Sequence, residues 1–203
     1  MRIIGASSDD EMVATFLLGE LSSERFGADL ARVLAELGQS ATLLTEANLA
    51  DADENDVRRQ VLGDFRGYRQ DRELFTGFPD GVSWRWVALS PAELLDVRYI
   101  DYGYWTALTD GTRLPTDAAR FIRSGGLVFG RMSTGHFLAL ADALRRGVTW
   151  QPIICVRAGG QQPIVVLEGH ARLTAMALAA DCLPDEVQVL LGTAVGMSEW
   201  SCY

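Results

Sequence analysis

The stretch that decides the fold is Val165-Val166-Leu167-Glu168-Gly169-His170-Ala171-Arg172-Leu173-Thr174-Ala175-Met176-Ala177-Leu178. An apolar run of strand type stops at Glu168, and a helical pattern begins at once. Charged and polar side chains collect at the junction, where a helix N-terminus offers unpaired N–H groups and a partial positive charge. Such a junction suits phosphate. Gly169 lets a ligand approach the backbone. Arg172 supplies a planar fork matched to two phosphate oxygens. Glu168 can hold a magnesium ion or take a proton from an attacking hydroxyl, and His170 can contact phosphate or relay a proton. Thr174, in the first turn, can bond a phosphate, although a helical threonine more often bonds its own backbone.

Working outward, Thr134 to Gly147 reads as an amphipathic helix closed by a glycine, Trp150 to Val156 as a strand, and Arg157 to Gln162 as a turn. The segment Gly130-Arg131-Met132-Ser133-Thr134-Gly135-His136 precedes the helix. Ser133 and Thr134 compete there as N-caps, and the Gly-Lys-Ser/Thr ending of a P-loop is absent.

Helix, "G-x-x-x-Q-P-I-I-x-V", turn, strand, "E-G-H-x-R-x-x-A", helix: this order resembles the ParB/sulfiredoxin-like fold family over residues 128–192. The resemblance implies an α+β mixed core that binds a nucleoside triphosphate, ATP or CTP, on the Gly169-x-x-Arg172 turn. It also places Arg131, Ser133, Thr134 and His136 on the same cleft as second contributors. The chain differs from the partition proteins of the family, since no helix-turn-helix reads after residue 192. It differs from sulfiredoxins too, because His170 stands where their reactive cysteine lies. The free-serine-kinase form of the turn is matched at each specified position. The resemblance therefore implies a magnesium-assisted phosphotransferase or nucleotide hydrolase. Glu168 and His170 would be catalytic, Glu168 would ligate the metal, and a small molecule with a hydroxyl group would be the acceptor. The alternatives are a non-catalytic nucleotide-sensing or protein-interaction module and, weakest, a DNA-binding or nuclease-like protein. A homodimer is left open.

Composition narrows the classes. At 203 residues, 48% hydrophobic and 22% charged, the chain reads as a globular domain with a sizeable core. No apolar run approaches the roughly 20 residues of a membrane helix, and no secretory signal reads at the N-terminus, so a cytoplasmic location is expected. All 18 basic residues are arginine. Residues 1–97 carry 9 Arg against 18 Asp+Glu, and residues 98–203 carry 9 against 9. Neither half has the basic balance that nucleic-acid binding relies on. Three cysteines show no metal-ligand spacing, and Cys155 reads as strand packing.

The division expected is an acidic helical region, 1–82, packed on a core of 83–203. Ser7 or Ser8 caps a first helix that begins Asp9-Asp10-Glu11, a second helix covers about 27–37, and a third about 54–67. Ala41 to Leu44 reads as extended. Ser83 to Leu89 and Val97 to Ile100 read as strands. Ser90-Pro91-Ala92-Glu93 starts a helix, and Leu114 to Arg123 reads as another. Tyr99, Tyr102, Tyr104 and Trp105 form an aromatic group that either lines a pocket or joins the core.

Overall fold

Ser8 caps the first helix as its sequence demands: its side chain accepts the N–H of Glu11, and three acidic residues fill the first turn. The computed structural model describes all 203 residues. Strand β1 (Arg2–Ala6) leads into α1 (Asp9–Leu21), α2 (Gly27–Glu36), α3 (Thr42–Thr45) and α4 (Ala52–Arg66). Next come β2 (Ser83–Leu89), α5 (Pro91–Leu95), α6 (Gly103–Leu108), α7 (Pro115–Arg123) and α8 (Gly135–Arg145). Strand β3 (Ile154–Arg157), β4 (Val165–Glu168), α9 (His170–Leu178) and β5 (Val187–Thr193) complete the series. Nine helices with one five-stranded mixed sheet make the chain an α+β protein. No helix is long and apolar enough to cross a membrane.

The sheet order is β1-β2-β5-β3-β4. β2 runs antiparallel to β1 and to β5, with Ser83 opposite Thr193 and Leu89 opposite Val187. β5 runs parallel to β3, and β3 antiparallel to β4. Helix α1 packs against α2 and α4 and also touches β2 and β3; α9 packs against α7 and α8. One cluster of 47 buried residues joins Met12, Phe16 and Leu17 of α1 to Val61 and Leu62 of α4 and to Ile154, Val166 and Leu190 of the sheet. That cluster, with β1 at the sheet edge, runs across the boundary expected at residue 82.

Two local expectations are corrected. Ala41 to Leu44 is not extended: residues 42–45 make one helical turn, closed by Ala41 and Thr42 carbonyls. Val97 to Ile100 forms a single bridge, Arg98 to Val165, because the next N–H, that of Tyr99, donates to the Arg113 carbonyl instead of a strand. In α4 the apolar face is interrupted by Arg58, fully buried. Its guanidinium donates to the Leu43 and Asn48 carbonyls and to Glu54 and Asn55, tying the α3 segment to α4.

Candidate functional site

Strand β4 is buried along its whole length, so the chain must leave it sharply to begin α9. Gly169 makes that turn at φ 98, ψ 24, in left-handed conformation. A Cβ there would stand 2.6 Å from the Ile153 side chain, so a larger residue is excluded twice over.

Arg172 does not offer a free fork. Its Nη1 donates to the carbonyls of Gln151 and Pro152, and its Nη2 donates to Glu168 Oε2. The pair is enclosed, with side chains 12% and 9% exposed. Helix α1 roofs it: a Cβ on Gly19 would meet Arg172 Nη2 at 2.9 Å and Glu168 Oε2 at 3.1 Å. The guanidinium thus already faces an anion, supplied by the chain itself.

The same roof brings in residues the motif did not announce. Glu20, one residue on, is buried and pairs with Arg66 of α4 at 3.5 Å. Burial, reinforced by the charge of Glu168, lifts the Glu20 carboxyl to about 7. Burial raises Glu168 as well, against the pull of Arg172. A carboxyl raised in the folded state binds more protons than in the unfolded one, so it lowers stability as pH climbs from about 4.5 to about 7. Glu20→Gln is neutral throughout. Relative to wild type it should therefore gain on the order of 2–3 kcal/mol between pH 5 and pH 8. Urea unfolding at both pH values measures this, and an unchanged difference would show Glu20 already ionised at pH 5.

His170 lies flat against Trp105, with ring centroids 5.1 Å apart, and Trp105 stacks on Tyr99 at 4.5 Å. Burial drives the His170 imidazole down to about 3, helped by the charges of Arg66, Arg172 and Arg25. It is therefore neutral at pH 7. Its Nε2 is buried with no hydrogen-bond partner. Thr174 is fully buried and its hydroxyl is spent internally. It donates to the His170 carbonyl at 2.8 Å and accepts from Tyr99 at 2.7 Å. A phosphate contact from Thr174 is thereby removed. Of the aromatic group, Tyr99 and Trp105 are core, and Tyr102 is exposed.

The segment before α8 is split. Thr134 is buried and donates to the Gly126 carbonyl at 3.2 Å, so it makes no cap bond with its side chain. Ser133 accepts the Gly135 N–H at 3.3 Å and stays exposed. Arg131 is exposed in the turn closed by the Val128–Met132 bridge. His136 is exposed beside Phe137, and Phe137 reaches Trp105 at 6.1 Å. Trp105 therefore links the starts of α8 and α9.

No three His, Cys, Asp or Glu side chains gather as a metal-binding set. Glu168, the residue expected to ligate magnesium, is paired with Arg172. Glu20 and Arg66 are the members that sequence reading missed. The one local signal was Glu20, a carboxylate closing the apolar run Phe16-Leu17-Leu18-Gly19.

The class defined so far is an α+β protein with a half-enclosed cluster of arginines and carboxylates at a helix start. No protein-family model matches the chain, and no curated protein or solved structure matches it.

Proposed function

We propose that the chain binds a nucleotide at the start of α9 and acts as a phosphotransferase or nucleotide hydrolase, with a ParB/sulfiredoxin-like core. The observation that carries this reading is the buried, unpartnered Nε2 of His170 at the positive end of α9, amid arginine charge. The succession α8, β3, β4, α9, with the Glu168–Arg172 turn before α9, supports the fold assignment.

Phosphate oxygens accept the first-turn N–H groups of α9 and compete with the Glu168 carboxylate for Arg172. Displaced from Arg172, Glu168 is free to orient or deprotonate the acceptor hydroxyl of a small molecule. Neutral His170 presents Nε2 to the ligand without adding charge. A magnesium ion, when bound, neutralises phosphate charge.

The test is a melting-temperature screen of ATP, CTP and GTP with and without magnesium. Ligand at about 100-fold its Kd stabilises by about 2.7 kcal/mol, a rise of roughly 5–10 °C for this size. His170→Ala should abolish the rise. No rise with any nucleotide, magnesium present or absent, sinks the reading. The internal pairing of Arg172 favours a second reading, a non-catalytic nucleotide-sensing or interaction module, which predicts the same rise with no turnover.

A further inference from the structure

Between α7 and α8 the chain makes a tight turn with its apolar side chains outward. Val128 and Met132 exchange backbone hydrogen bonds at 3.0 and 2.9 Å, and the Val128 side chain is buried. Around that anchor Leu127, Phe129 and Met132 are 49%, 58% and 43% exposed. Phe129 and Gly130 take positive φ in succession, 52° and 68°. Asn-Gly is the pair that suits two such positions, and a bulky side chain at the first is costly. The chain thus holds an aromatic ring in water against its backbone preference. The same turn is basic. Residues 117–132 hold three arginines, Arg120, Arg123 and Arg131, against one acid, Asp117, which pairs with Arg120. Arg131, beside the tip, is exposed and forms no ion pair.

The complementary surface lies in the N-terminal region. A cavity of about 260 Å³ is bounded by the start of α1, the end of α4 and the loop leading to β2. Tyr68, Phe75 and Phe78 wall it, packed edge to face at 4.9 and 5.1 Å. Asp9 also lines it but is taken by Arg69 and the Tyr68 hydroxyl. Asp71 and Asp80 line it too, exposed and without an ion pair. Of the nearby arginines, Arg66 is paired with Glu20 and Arg72 with Glu73. The cavity is therefore aromatic and acidic, and the turn is aromatic and basic. Its volume falls short of the roughly 300–1,000 Å³ usual for small-molecule sites, so it suits one or two protruding side chains better than a cofactor.

We infer that the chain associates with itself head to tail, the 127–132 turn of one copy seated in the Phe75–Phe78 cavity of a second. Phe129 meets the aromatic wall, and Arg131 meets Asp71 and Asp80. Knob and hole are different patches, so the contact is not two-fold, and copies close a ring or extend a chain. An anionic membrane would suit the turn alone and leave the cavity without a part.

The experiment is sedimentation velocity on the full chain over a concentration series, where wild type should form species larger than a monomer. Phe129→Asn with Arg131→Glu removes the knob, and it should melt no lower than wild type because asparagine tolerates the left-handed position. Asp71→Asn with Asp80→Arg removes the charge of the hole and keeps an oxygen for the Gly77 N–H, which Asp71 accepts at 2.7 Å. Each double variant alone should associate at least tenfold more weakly. An equal mixture of the two should form a 1:1 dimer and nothing larger, since one intact turn then meets one intact cavity. Wild type that stays monomeric, oligomers that both variants form as readily as wild type, or a mixture that fails to pair would each overturn the inference. So would a monomer that co-sediments with phosphatidylserine vesicles and loses them in the Phe129→Asn, Arg131→Glu variant, which makes the turn a membrane contact instead.

Discussion

Arg172→Met should lose about 3–5 kcal/mol of stability, the usual cost of stranding one partner of a buried ion pair. For a chain of this size that is a fall of roughly 6–20 °C in melting temperature. The variant leaves Glu168, beneath Gly19 of α1, without its guanidinium, and leaves the Gln151 and Pro152 carbonyls without their donor. Replacing both partners, Arg172→Met with Glu168→Leu, should recover most of the loss, since no charge is then left buried. Denaturant unfolding of the single and double variants measures both. A single-variant loss below about 1 kcal/mol would be typical of an exposed pair. It would mean the guanidinium spends its time in water, free for ligand.

The second large effect is expected from Trp105→Ala. Trp105 is 9% exposed and packs against Tyr99, His170 and Phe137, while the Tyr99 and His170 rings also face each other at 6.3 Å. Its removal should cost about 3–5 kcal/mol. It should also admit water to His170. Because burial is the main cause that holds the imidazole near 3, its titration midpoint should climb toward the ordinary histidine value. Proton NMR titration of the two histidines reads this directly, with His136 as the internal reference. A His170 midpoint that stays put would show that another side chain keeps the ring dry.

Where a local rule governs the backbone, the elements were legible from the residues. Ser90 and Glu93 form the reciprocal cap read from Ser-Pro-Ala-Glu, β2 spans the residues of its alternating pattern, and Gly169 turns where an apolar run meets a helix. Strand β5 was not read. Val187-Gln188-Val189-Leu190-Leu191 is short and buried on both sides over most of its length, so it shows neither the alternation of a surface strand nor a helical stripe. Helix α6, six residues within an aromatic group, was also too short to carry a period. At the site, the turn itself was legible but the state of Arg172 was not. Its partners include carbonyls 20 and 21 residues upstream, and a roof from α1 some 150 residues away. Glu20 and Arg66 lie on separate helices, and only the packing of α1 on α4 brings them together.

The place of β5 has a consequence for assembly. β2 and β3 share no hydrogen bonds; β5 lies between them, antiparallel to one and parallel to the other. Everything made before residue 187 can therefore form only two separate ribbons, β1 with β2 and β3 with β4, each too slight to persist alone in water. The keystone is laid last, and both flanks must wait in register until it arrives. Sheet closure thus depends on contacts about 100 residues apart in sequence between β2 and β5, the kind of non-local pairing that slows folding.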